Sequence, residues 1–383
     1  MIIHPSLRIA LICPFSIGPA RGNITTVRRI GDHLPKAGCQ VATLPLDTVG
    51  PVERHERLNQ VAPDLLHAFH AYHSGPTARQ LAQERGIPYL ITITGSDLFD
   101  PEMRNDPATR QAVADAAAIT CFDPLVALQL TDSFPEAAGK LVVIPQGVAP
   151  LPVNQPFPHP SGEFLILLPA AQRAVKGITN ALDALAPLTR EFPSLRLLLA
   201  GGELDPAYGT LIRKQTGNAP WVQLMGDIPH QRMGALYAAA DLVLNCSLYE
   251  GGMANTLLEA MIMGRPVLAR NVTGNRSVIR HGETGWLYET DNELAERVRL
   301  IMQAPQTAET MGEAGRVFVR DHCSPMTEAK NYARLYEQLR LRNKILRSGE
   351  ATTSSFEDQT YIKLSNLKKL LDNGTITQDE FEL

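Results

Sequence analysis

Two cations and two carboxylates stand out by type and spacing. Arg173 and Lys176 lie three residues apart in QRAVKG, just after the apolar run FLILLPA. Two cations beyond the carboxyl end of a strand suit a diphosphate, because guanidinium and ammonium groups both pair with phosphate oxygens. At that spacing they would be neighbours on one helical turn; taken alone, the pair also reads as a solvated basic face. Glu250 and Glu259 bracket Gly251 and Gly252 in SLYEGGMANTLLEA, which follows the run DLVLNC. On one helix these glutamates would be roughly 180° out of phase. Glu250 is therefore expected on a loop and Glu259 inside the following helix. The glycines let backbone approach a ligand, and the N–H groups of Gly252, Met253 and Ala254 would face an anion. The competing reading of Glu259 is a capping box with Thr256. It leaves Glu250 and the glycine pair unexplained.

A second group of polar residues lies in the N-terminal half. Gly22 and Asn23 follow LRIALICP, His70 and His73 follow PDLLHAF, and Ser96 and Asp97 follow PYLITITG. His73 is a candidate catalytic residue because of its place past a strand end. His33 and His67 read as structural. Asp97 suits either a hydroxyl of a ligand or the holding of its own loop.

Such residues need strands to end beside one another. Short β-branched runs alternate with amphipathic stretches through most of the chain, which predicts an α/β fold. The 383 residues exceed one compact core. The proline-rich stretch PLPVNQPFPHPSGE separates two similar halves. The expected organisation is an N-terminal Rossmann-like domain over 1–155 and a C-terminal Rossmann-like domain over 162–325. A crossover helix (326–347), a polar linker (348–360) and a small helix–turn–helix module (361–383) follow. In doubly wound sheets ligands bind outside the carboxyl ends of the strands, where every residue singled out above is placed.

The net charge of −4 argues against a nucleic-acid binder working by bulk charge. No apolar run approaches ~18 residues, so no transmembrane helix is expected; peripheral membrane contact stays open. The start MIIHPSLRIALICPF has no basic n-region and reads as a strand. The five cysteines are scattered, none in a C-x-x-C pair, and read as reduced thiols of a cytoplasmic protein.

With QRAVKG, GDIPHQRMGALYAAADLVLNCS, YEGGMANTLLEAMIMGRPVLAR and GNRSVIRHGETGWLY in that order, residues 164 to about 340 resemble the donor-binding domain of GT-B glycosyltransferases, specifically the large retaining family four. In the first half RGNITTVRRI, HAFHAYHSG and TGSDL resemble a narrower group, the vertebrate glycosyltransferase-one-domain-containing proteins, and more distantly the bacterial selenosugar synthases. The segment LSNLKKLLDNGTITQDEFEL resembles a short C-terminal module of bacterial proteins (SHOCT-like), which implies self-association rather than chemistry. Two departures stand out. The family places seven residues between its glutamates, whereas eight lie between Glu250 and Glu259, and Gly251 falls where the first would be. The arginine usually found five before the lysine is Ala171 here, with Arg173 as its replacement.

The resemblance implies a GT-B fold of two facing domains whose closure brings donor and acceptor together, the domain over 1–155 holding the acceptor with Gly22, Asn23, His70 and Asp97 on its side. It implies transfer of a sugar from a nucleotide sugar, UDP-linked, to an acceptor, with retention at the anomeric carbon. Arg173 and Lys176 would take the charge of the leaving diphosphate. Glu250 would hold a sugar hydroxyl, Glu259 the ribose hydroxyls, and Gly226 and Ile228 would line the base pocket. No cofactor or metal is implied, since no aspartate pair dedicated to a divalent ion is evident. The rivals are a nucleotide-sugar epimerase of the same fold and a non-catalytic nucleotide-sugar binder.

Overall fold

The computed structural model describes residues 6–18 and 22–348. Apart from Ser348, the expected linker and the module over 361–383 lie outside the described residues. The chain divides into two compact units. One runs through Ile17, from Asn23 to Gly147, and again from Pro325; the other holds Gly22 and Val148–Ser324.

The first unit is built on six strands: β1 (Leu7–Cys13), β2 (Cys39–Pro45), β3 (Leu65–Phe69), β4 (Tyr89–Thr92), β5 (Ala118–Cys121) and β6 (Leu141–Val143). Their order is β2-β1-β3-β4-β5-β6, and every pairing is parallel. Parallel strands are covered on both faces, so they read as unbroken apolar runs; β3 is buried at all five positions. The run ITTVRRIGDHLPKAG forms a helix over Gly22–His33, and then a tighter turn over Leu34–Ala37 closed by Gly38 at φ +90°.

The helix Pro325–Ser348 belongs to this first unit. It lays Ala329, Tyr332, Leu335, Tyr336 and Leu339 against Ile9, Leu11, Leu65 and Phe69 of the sheet. Polar contacts fix its register. His67, fully buried in β3, contacts Tyr336 Oη through Nδ1 at 2.7 Å and Thr92 Oγ1 through Nε2 at 2.6 Å. At the helix start the buried Glu328 takes two hydrogen bonds from Arg29, at 2.8 and 3.0 Å, and one from the Gly147 N–H at 3.1 Å. Gln146 Oε1 accepts from both Arg29 and Thr26 at 2.8 Å.

The second unit carries β7 (Phe164–Pro169), β8 (Leu195–Ala200), β9 (Val222–Gly226), β10 (Leu242–Asn245), β11 (Val267–Arg270) and β12 (Trp286–Tyr288). The order is β12-β11-β10-β7-β8-β9, again parallel throughout. Counted from β7 this is the 3-2-1-4-5-6 order, whose direction reverses between its first and fourth strands. The reversal therefore falls between β7 and β10. The run GITNALDALAPLTREF forms two helices, Ile178–Leu185 and Leu188–Glu191, parted at Ala186–Pro187.

Candidate active site

Lys176 follows β7 and Glu250 follows β10, so the two loops rise from the strands that flank the reversal. Lys176 Nζ lies 2.5 Å from Glu250 Oε1 and 3.1 Å from Ser247 Oγ. The turn after Lys176 makes this approach possible. Gly177 has φ +59°, and a Cβ there would run into the Cys246 carbonyl oxygen; only glycine brings this backbone so close to the end of β10. Both partners are largely buried, at 19% and 15% side-chain exposure. Burial alone would raise the Glu250 pKa. The charge of Lys176 and hydrogen bonds from Lys176, Ser247 and Asn245 outweigh it and hold the group below its ordinary value. Glu250 is a carboxylate at neutral pH. With two of the three ammonium N–H donors engaged, Lys176 keeps one for a further oxygen.

Arg173 does not share a helical turn with Lys176, as the spacing predicts. Only Ala174–Lys176 form a 3-10 turn, and Arg173 precedes it in extended backbone. Its side chain is exposed and makes no hydrogen bond or ion pair among the described residues. The cluster thus pairs one fixed cation with one uncommitted cation at the same strand end.

Glu259 sits elsewhere in the unit and does not cap its helix. The helix spans Asn255–Ile262 with Ala254 at the N-cap and no side-chain cap bond, so Thr256 is already inside it. The capping-box reading fails because the helix starts earlier than that reading requires. The carboxylate is instead held from the helix His230–Ala239. Tyr237 Oη donates to Oε2 at 2.9 Å, and His230 Nε2 meets Oε1 at 2.7 Å. Burial and the Glu259 charge hold the Tyr237 phenol well above its ordinary pKa, so it stays a donor. Sequence reasoning missed both residues. Their signal was the seven-residue spacing, which returns to the same helix face after two turns. Gly226 ends β9 at φ +66°, and the half-buried Ile228 lies two residues before His230. Gly251, Gly252, Met253 and Ala254 form a buried loop, with Gly252 at φ +133°.

In the first unit the order reverses between β1 and β3, and His70 and His73 lie just past the end of β3. Gly22 and Asn23 open the helix Gly22–His33. His70 has φ +78°, which is rare outside glycine. Its Nδ1 accepts the His73 N–H at 3.3 Å. The proton of the neutral ring therefore resides on Nε2, which donates to Ser96 Oγ at 2.9 Å. The His73 ring lies 4.3 Å from that of His70 and edge-on to Phe15 at 5.4 Å. Asp97 holds its own loop, one of the two readings open to it. It is fully buried, and its oxygens accept the N–H groups of Ala71, Thr94 and Gly95 at 2.7–3.3 Å. Asp97 ties the loop after β4 to the loop after β3.

Comparison with known proteins identifies the architecture. Residues 153–318 match the family model for glycosyl transferases group 1, and residues 18–147 match the glycosyl transferase 4-like domain. Two stretches of the chain thus resemble glycosyltransferase domains. It is similar to glycosyltransferase 1 domain-containing protein 1 of Xenopus tropicalis, 26% identical over 338 residues that cover 85% of this chain and 96% of that one. Among solved structures it is similar to sucrose-phosphate synthase from Thermosynechococcus elongatus, with TM-score 0.74 and 23% identity over 88% of this chain and 100% of that one. The Anabaena protein Alr3699/HepE, solved in complex with UDP-glucose, aligns with TM-score 0.69 and 18% identity over 87% of this chain and 100% of that one. The fold is the GT-B fold. No helix among the described residues is long and apolar enough to cross a membrane.

Proposed function

We propose that this protein transfers a glycosyl group from a UDP-sugar to an acceptor nucleophile, with retention at the anomeric carbon. The observation that carries the reading is the Lys176–Glu250 pair across the β7–β10 reversal of a group 1 glycosyltransferase domain. The UDP assignment is supported by the HepE neighbour, whose structure holds UDP-glucose. In this reading the remaining N–H of Lys176 and the free guanidinium of Arg173 meet the diphosphate. As the anomeric C–O bond breaks, the electron pair goes to the departing phosphate oxygen, where these cations stabilise it. The acceptor oxygen forms the new bond to the anomeric carbon, and its proton passes to the same phosphate oxygen. Glu250 orients a sugar hydroxyl and Glu259 the ribose. His70 and His73 would contact the acceptor.

The test is release of UDP from a panel of UDP-sugars by purified protein, with and without candidate acceptors. Acceptor-dependent release with a glycosylated product is expected. Interconversion of the sugar without release, or binding without turnover, would sink the proposal. Lys176→Ala is expected to lower turnover by at least ~10²-fold while the protein stays folded.

A further inference from the structure

Glu250 stands one residue out of the spacing expected for this kind of site, yet it is held firmly. Beside Lys176 and Ser247, part of the hold comes from behind, where Asn245 reaches Glu250 and a second buried amide, Asn275, backs it. Asn245, the last residue of β10, is 6% exposed, and Asn275 is fully buried. Backbone groups fix which way each amide faces. Asn275 Nδ2 lies 2.9 Å from the Arg270 carbonyl, which can only accept. The Ser247 N–H, which can only donate, lies 3.0 Å from Asn245 Oδ1. Asn275 Nδ2 also reaches Asn245 Oδ1, at 3.4 Å. The Asn245 NH2 is left to face Glu250, and it donates to Oε1 at 3.4 Å. Lys176 donates to that same oxygen, and Oε2 receives neither bond. Gly274 closes the arrangement, since a Cβ there would lie 2.6 Å from Glu250 Cβ and from its carbonyl oxygen.

We propose that Asn245 is a positioning residue, oriented by Asn275, that pins Glu250 Oε1 and so turns Oε2 toward a hydroxyl of the donor sugar. This rests on the reading of Glu250 as a sugar ligand. The relay reaches Glu250 from β10, whereas the added residue lies on the other side, between Glu250 and Asn255. The position of the carboxylate is thereby independent of the longer loop. A glutamate that was only a counter-ion for Lys176 would not require an amide to choose between its oxygens.

The experiment is titration calorimetry of the full chain with UDP and with UDP-glucose, for Asn245→Ala, Glu250→Gln and the double variant, with melting curves alongside. Asn245→Ala is expected to weaken UDP-glucose by about 10-fold and UDP by less than about 3-fold, and to add little to Glu250→Gln, because coupled residues are not additive. Equal loss of both ligands, or additive effects in the double variant, would mean that Asn245 only supports the fold, and the proposal fails. Normal UDP-glucose binding by Asn245→Ala, beside a defective Glu250→Gln, rejects the relay and leaves Glu250 as a sugar ligand. Normal binding by Glu250→Gln, or a wild-type protein that binds neither probe, removes the reading beneath and the proposal with it. Should Asn245→Ala fail to fold, Asn245→Asp keeps an acceptor for Ser247 and Asn275 and sets a second acceptor oxygen where the donor to Glu250 was. The ratio of the UDP-glucose to the UDP dissociation constant should then rise, and an unchanged ratio overturns the relay.

Discussion

Glu259 illustrates how a single side chain can separate two roles. Both of its oxygens are engaged by a neighbouring helix, and it is 5% exposed. Nothing in that environment stabilises its own helix start. If the carboxylate orients ribose, Glu259→Gln should weaken UDP by about 1–3 kcal/mol, the range for a hydrogen bond to a charged group. The same titration on Tyr237→Phe should show a smaller loss in the same direction, because the donor that aims Oε2 is gone. A Glu259→Gln protein that binds UDP normally and only melts earlier would assign the residue to packing. The residue types of this site were legible in the sequence. The partners were not, because a histidine and a tyrosine in HQRMGALYAAA look like any helix face until the facing glutamate is known.

At the scale of elements, the strands announce themselves as apolar runs, since a parallel sheet buries both of its faces. Which strands lie side by side is not written in any one of them. Lys176 and Glu250 are 74 residues apart, and they meet because β10 returns to the open edge of β7. The turn that lets them meet depends on Gly177. Gly177→Ala should cost stability twice over, through its positive φ and through the clash with the Cys246 carbonyl. A loss of about 1–3 kcal/mol by urea unfolding is expected, together with impaired UDP release, because Lys176 adjoins the displaced turn. Gly162→Ala is the control: its φ is +83° but a Cβ there meets nothing within 4 Å. A Gly177→Ala protein no more affected than this control would show that the close approach does not set Lys176.

For the molecule as a whole, the first unit stores a pH dependence in His67. Burial lowers its pKa from 6.5 to about 3, while in the unfolded chain it titrates normally. Between those values the unfolded state binds a proton that the folded state refuses, so stability is full above 6.5 and declines as the pH falls. One such proton corresponds to a slope of about 1.4 kcal/mol per pH unit. Denaturant unfolding of wild type and His67→Gln between about pH 6 and pH 4.5 should show the wild type with the steeper decline; parallel slopes would contradict this. The residues around His67 carry a further consequence, for synthesis on the ribosome. Tyr336 and Glu328 are among the last described residues made, yet they complete a sheet whose first strand is among the earliest. Val148–Ser324 are contiguous and complete beforehand. Since domains generally fold as units while the chain emerges N-terminal end first, the half that is translated first is the half that must wait. Until its closing helix leaves the exit tunnel, the face formed by Ile9, Leu11, Leu65 and Phe69 lacks the cover of Tyr332, Leu335, Tyr336 and Leu339, the kind of transient apolar exposure that favours aggregation.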